Sequence, residues 1–263
     1  MDLFLNYFVY SFSIFFLIFV RATGIFVAAP FFSRNSIPMI AKIGLSILVA
    51  FILSPGIIPG TVLSIDNYYQ LTYYGVYEFV IGIIIGFVGF MFLSALYLAG
   101  TIIDTQIGFS MVNVLDPQTN SQIPVLGSFY NILFTLIFLA VNGHHFIVRA
   151  LVYSYKVIPI GRGIVFNDNL ISHITIIMTQ VFIFAIKLGA PVLATIFIAN
   201  VLLGVLARSM PQMNVFIVGM PLKIAVGLVT TIITLQYLVP FSENLFDTMF
   251  NSIIRVLEIL AKG

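Results

Sequence analysis

The chain of 263 residues contains no cysteine and no tryptophan, has three histidines, and carries charge on only 8% of its residues. The missing cysteines exclude disulfides, thiolate metal sites and cysteine nucleophiles, and are silent on compartment. Without tryptophan, an interfacial aromatic belt has to come from tyrosine, and the cluster Tyr68, Tyr69, Tyr73, Tyr74 and Tyr77 is the candidate. Ordinary soluble domains are about 25% charged, and no stretch here is charged enough to build one. A net charge of +2 with no basic run gives no footing for nucleic acid. His144 and His145 are adjacent, and neighbours on a helix point about 100° apart, so they read as interfacial residues of a turn and not as metal ligands. No nucleotide-binding loop or catalytic triad motif is present, and neither enzyme chemistry nor a cofactor is expected.

What the chain has instead is apolar length. Hydrophobic residues make up 61% and the mean hydropathy is +1.15. Apolar runs of about 18 residues or more mark membrane spans. They fall at residues 3–32, 40–58, 71–103, 125–141, 174–206 and 215–239. The first run lacks a basic leader and a small-residue cleavage site, and reads as a retained span. The fold class is therefore an all-α membrane protein of about six long, partly broken helices arranged as hairpins.

Two of these runs are too long for a bilayer. Residues 71–103 and 174–206 would each extend about 50 Å as a helix, against a hydrocarbon core of about 30 Å. The second carries Gly189-Ala190-Pro191 near its middle, so a kink or interruption is expected there. Lys187, just before it, is either a snorkelling cation or a charge facing a water-filled path. In the first, Gly82, Gly86 and Gly89 form a small-residue face on which another helix backbone can pack closely, and are expected to serve packing between subunits. Arg21 has two readings: a snorkelling arginine at a span end, or a buried one paired with another subunit or with Glu78. Glu78 itself is either an interfacial acid beside Tyr77 or half of such a pair.

Residues 108–122 form the one long turn-rich interval between two of the longest apolar runs, bounded by Asp104 and Gln106 before it and Pro124 after it. Phe109, Met111, Val112, Val114 and Leu115 make its first half apolar, while Gly108, Pro117 and the polar cluster after it oppose a continuous helix. Such a loop suits a closure element inside a protein pore, and equally an ordinary interhelical loop with an apolar half. Further on, residues 149–173 form the most hydrophilic connection. The polar turn around Pro211, between the fifth and sixth runs, makes residues 174–239 a helical hairpin. Pro240 should stop the last span, with Ser242 as the N-cap of a terminal helix. Phe241, Leu245, Phe246, Met249, Phe250, Ile253, Ile254, Leu257 and Leu260 then recur at helical steps. The polar face of that helix is not lysine-rich, which favours docking on a partner protein over anionic lipid.

The residues Gly100, Asp104, Gln106, Gly108-Phe109-Ser110-Met111 and Asp116-Pro117, then Pro124-Val125-Leu126, Asn142-Gly143-His144 and Pro159-Ile160-Gly161, and last Pro211-Gln212-Met213-Asn214-Val215-Phe216 with Gly219 and Pro221, resemble the FliR family in order and spacing. These are flagellar biosynthesis proteins related to the T-type (SctT) subunits of virulence secretion systems. The resemblance implies a subunit of the type III export gate, multi-pass in the bacterial inner membrane within the flagellar basal body. Its implied partners are P-type FliP and Q-type FliQ in a helical multi-subunit assembly, the B-type FlhB, the A-type FlhA, and exported unfolded flagellar proteins. It also implies a division into P-like hairpins with the plug loop (1–128), a connecting span and polar loop (129–172), a Q-like hairpin (173–240) and the amphipathic helix (241–263). The pore plug would comprise Gly108, Phe109, Ser110, Met111, Val112, Asn113, Val114, Leu115, Asp116 and Pro117. Arg208, Pro211, Gln212, Asn214, Gly219 and Pro221 would form the hairpin at the cytoplasmic entrance. A virulence export gate and a small-solute secondary transporter are the alternatives; against the latter, no internal repeat is visible.

Overall fold

The computed structural model describes residues 2–29, 32, 37–58, 67–109, 124–164, 167–210, 212 and 214–262, with the side chains of residues 2–9 and 215–216 left aside. Among these residues there are eight α-helices and no strand: α1 (Asp2–Ala28), α2 (Met39–Ile57), α3 (Tyr68–Ile107), α4 (Val125–Ala140), α5 (Gly143–Val157), α6 (Asp168–Ser209), α7 (Val215–Thr234) and α8 (Leu238–Lys262). Five helices are long and apolar enough to cross a membrane, or six if the pair α4–α5, bent by 69°, counts as one span. That is the make-up of a multi-pass membrane protein.

The apolar runs set where the helices lie, but local chemistry moves their ends. α3 is one helix of 40 residues and α6 one of 42, about 60 Å each and twice the thickness of a bilayer core. α6 starts cleanly: Asn167 Oδ1 accepts from the Leu170 N–H at 3.1 Å, an N-cap. It then runs on through Pro191, so the interruption expected there does not occur. A proline removes one backbone hydrogen bond, and an apolar packed helix tolerates that loss.

Three further expectations are corrected. Residues 149–173 are not all connection, because α5 extends to Val157. Ile147, Ala150, Leu151, Ser154 and Tyr155 are its buried positions, at helical spacing, while Arg149 and Lys156 stay exposed. The left-handed turn at Asn142 (φ 56°) separates α5 from α4. Second, a 3-10 turn at Leu235–Tyr237 ends α7, and α8 begins at Leu238. Pro240 therefore lies in the first turn of a helix, where its missing N–H costs nothing. Ser242 is inside α8, donating back to the Leu238 carbonyl at 2.5 Å, and is not an N-cap. Third, the apolar face of α8 docks within its own chain: Leu245, Phe246, Met249, Ile253, Val256, Leu257 and Leu260 are all buried.

The chain divides into two compact units. One comprises residues 1–91, 142–177 and 247–263, the other residues 92–141 and 178–246. In the first, Ile14, Leu17, Ile18 and Ile25 of α1, Ile81 and Ile85 of α3, and Leu257 and Leu260 of α8 belong to the core. Here α2 turns its small residues Ser46, Ala50 and Ser54 inward and its large ones, Ile40, Phe51 and Ile52, outward. That inversion suits a helix surrounded by lipid or protein and not by water. In the second unit a chain of edge-on rings, Phe92, Phe184, Phe241 and Phe134, fills the core. Its outer faces on α6 and α7 expose Phe197, Ile198, Leu202, Ile217, Ile232 and Ile233.

Candidate functional site

The end of α3 and the start of α4, which flank the turn-rich interval, meet at Asp104. α3 stops where Gly108 adopts φ +104°, a backbone conformation that L side chains rarely take. The Gly108 N–H donates to the Asp104 carbonyl oxygen at 3.1 Å. On the far side α4 starts behind Pro124, whose side chain has no acceptor for the free N–H groups of a helix start. The Asp104 carboxylate supplies one from across the interval. Leu126 N–H donates to its two oxygens at 3.0 and 3.2 Å, and Gly127 N–H to Oδ2 at 3.5 Å.

An acid in the last turn of α3 opposes that helix's own dipole, whereas at the N-terminus of α4 the same charge is favourable. Helix N-caps contribute about 0.5–2 kcal/mol. Asp104 is buried, so losing it leaves two amides without a partner away from water, a penalty of about 1–3 kcal/mol each. Backbone contact brings the helices this close. A Cβ at Gly100 would overlap the Gly127 backbone, and one at Gly227 of α7 would lie 2.5 Å from the Ile107 side chain. Of the expected plug residues, Gly108 and Phe109 are half-buried. Ser110, Met111, Val112, Asn113, Val114, Leu115, Asp116 and Pro117 lie outside the described residues.

The other sites named from sequence fall as follows. Gly82 and Gly86 of α3 meet α1 of the same chain: a Cβ at Gly86 would sit 2.6 Å from that of Ala28, and one at Gly82 would overlap the Arg21 carbonyl oxygen. Gly89 is buried. Arg208 ends α6 exposed, and Gln212 and Asn214 are exposed in the turn after it. The Asn214 carbonyl accepts from the Ile217 and Val218 N–H groups as α7 begins. Gly219 is buried and Pro221 exposed on α7, and Pro211 lies outside the described residues. Lys187 is exposed.

Arg21 is no snorkeller and Glu78 is not interfacial. They are 0% and 1% exposed and form an ion pair, Arg21 Nε donating to Glu78 Oε2 at 2.5 Å. Arg21 also donates to Ser154 Oγ at 2.9 Å and to the Ile158 carbonyl at 3.0 Å, and its guanidinium lies 4.2 Å from the centroid of the Tyr155 ring. The Ser154 hydroxyl donates in turn to the Leu151 carbonyl, and the Tyr155 hydroxyl donates to the Ile18 carbonyl. Ile158 is the C-cap of α5, so the cation also faces the negative end of that helix. One arginine thus ties α1, α3 and α5 together, with each of its three side-chain nitrogens hydrogen-bonded.

The feature that decides identity is the match along the chain. Residues 12–249 fit the profile of the bacterial export proteins, family 1. The chain belongs to this family. It is 34% identical over 251 residues to the flagellar biosynthetic protein FliR of Bacillus subtilis (strain 168), covering 95% of this chain and 96% of that protein. Against FliR of Escherichia coli (strain K12) it is 30% identical over 241 residues, covering 92% and 91%. The surface presentation of antigens protein SpaR of Shigella flexneri is 27% identical over 209 residues, 78% of each chain.

Two features of these contacts leave only a partial signal in the sequence. The capping role of Asp104 had a signal, an acid in the last turn of one helix followed by a helix whose cap position is proline. Ser154 and Tyr155 had the helical period of α5, hidden because so hydrophilic a stretch resembles a loop. Neither signal names its partner, because both contacts cross the sequence.

Proposed function

We propose that this chain is a core subunit of a flagellar type III protein export gate, enclosing with FliP and FliQ the channel through which unfolded flagellar proteins leave the cell. In this reading the gate sits in the inner membrane at the flagellar basal body, with FlhB at the hairpin around Arg208, Gln212 and Asn214 and FlhA below. The residues 108–117 close the channel. The carrying observation is the junction at Asp104: a family member holds together, by one buried carboxylate, the two helix ends that flank this interval. The apolar faces of α2, α6 and α7 support the assembly, since faces this large need lipid or protein to cover them.

The mechanism asks for packing and no bond chemistry. A conduit wide enough for a polypeptide leaks ions unless filled. Apolar side chains such as Phe109 and Met111 fill it irregularly and part without breaking strong hydrogen bonds. Helices twice as long as a bilayer is thick are stable when sister subunits shield them. The driving energy comes from partner subunits and the proton-motive force.

Deleting residues 109–120 in the gate co-expressed with FliP and FliQ tests the closure. Ion leakage across the membrane should rise while the gate still assembles; an assembled gate as tight as the parent refutes it. The virulence alternative has its support in the SpaR relative, which is less similar to this chain than the FliR proteins of Bacillus subtilis and Escherichia coli.

A further inference from the structure

We infer that a groove between the start of α6 and the end of α8 seats the phosphate of one anionic phospholipid head group, with Arg255 and Lys262 as its cations. Both stretches belong to the same compact unit. The groove holds about 410 Å³, within the range of about 300–1,000 Å³ usual for small-ligand sites. From α6 it is lined by Asn169, Ser172 and His173, and from α8 by Arg255, Glu258 and Lys262. The site is independent of how the channel closes.

Charge sets what the groove takes. The helix ends that meet here, positive for α6 and negative for α8, offset one another, so the side chains decide the sign. Two cations against one carboxylate leave one net positive charge; Asp168, exposed in the first turn of α6, lies outside the lining. The Glu258 carboxylate is already engaged. The Tyr153 hydroxyl donates to its Oε1 at 3.3 Å and Arg255 Nη1 to its Oε2 at 3.5 Å. Arg255 has five N–H donors and a side chain 63% exposed, so it can serve a second anion as well. His173 lies beside these groups, and its buried Nε2 has no hydrogen-bond partner among the described residues. A buried polar atom left so marks a place for a ligand or a water.

The surroundings favour a lipid as the source of the phosphate. The apolar run of α6 begins at residue 174, so the groove straddles the step from a polar turn to apolar helix. Ile176, 50% exposed, and Ile259 line it as well. A phospholipid joins an anionic head to hydrocarbon in the same way, and basic pockets between membrane helices take such heads. Two cations are too few to hold a whole helix face on an anionic membrane surface, but a groove has to hold only one molecule.

The test titrates the full chain in detergent with short-chain phosphatidylglycerol or phosphatidylcholine and reads bound lipid by native mass spectrometry. Phosphatidylglycerol should bind more tightly. Arg255→Gln and Lys262→Gln should each weaken it by about fivefold, the scale of one basic residue at an anionic lipid surface, and leave phosphatidylcholine unchanged. Glu258→Gln should tighten it, an effect in the opposite direction that a merely structural role would not give. Equal binding of the two lipids, or a preference that survives in both cation variants, overturns the inference. Displacement of the lipid by inorganic phosphate at equal concentration makes the site one for the free anion and overturns the lipid assignment. In the gate extracted with its partner subunits, the parent should retain more phosphatidylglycerol than the variant lacking both cations. Equal retention there means that a partner protein covers the groove, and the inference falls. Lys262 is exposed in the last turn of α8, so Lys262→Gln leaves the core intact and decides alone if Arg255→Gln does not express.

Discussion

Replacing Arg21 by methionine removes three hydrogen bonds at once and leaves the Glu78 carboxylate without its partner at 1% exposure. Breaking a buried ion pair from one side costs about 3–5 kcal/mol, most of it from the charge left behind. The remaining donors go to Ser154 and to the Ile158 carbonyl, and within a membrane such bonds average about 0.6 kcal/mol each. The two single variants, Arg21→Met and Glu78→Met, should therefore each lose about 3–5 kcal/mol. The double variant replaces both charges by side chains that fill the same space, and it should lie far above the sum of the singles, near one of them or closer to the parent. The assay is the steady-state amount of full-length chain in membranes, which changes several-fold for each 1–2 kcal/mol, together with thermal inactivation in detergent. The singles should be depleted about tenfold or more, and the double no further than one single, far short of the sum of the two losses. Two nearly silent singles, or a double as poor as the sum, would show that the pair contributes little beyond filling space.

Gly86→Leu and Gly82→Ala should disrupt the seat of α3 on α1 within the chain, since even a Cβ at Gly86 comes within 2.6 Å of Ala28. The measurement is the amount of the chain expressed without partner subunits. A normal level there, with assembly lost only in their presence, would mean that these glycines face another protein. Phe246→Asp puts a carboxylate at a site 1% exposed, where the ring stands edge-on to Phe138 at 5.2 Å. Burying an unpaired charge should cost several kcal/mol, so protease resistance of the detergent-solubilised chain should collapse. Retained resistance would place the face of α8 outside the core.

The apolar runs by themselves determined that this is a helical membrane protein, because a bilayer admits helical backbone far more readily than any open alternative. They also determined which face of α8 is buried, since a 3.6-residue period can be read along a single stretch. The family motifs were legible for the same reason: they are strings of neighbours. Tertiary structure decided the rest. Whether Arg21 reached water or Glu78 turned on a contact across 57 positions, and whether Asp104 was a loop border or a cap turned on one across 22. The small residues of α3 were visible as a packing face, but only the fold named α1 as what they pack against. Position along the chain constrains a residue's own helix through hydrogen bonds four residues away, while the partner of a buried charge or a bare amide is set by which helices come to lie side by side.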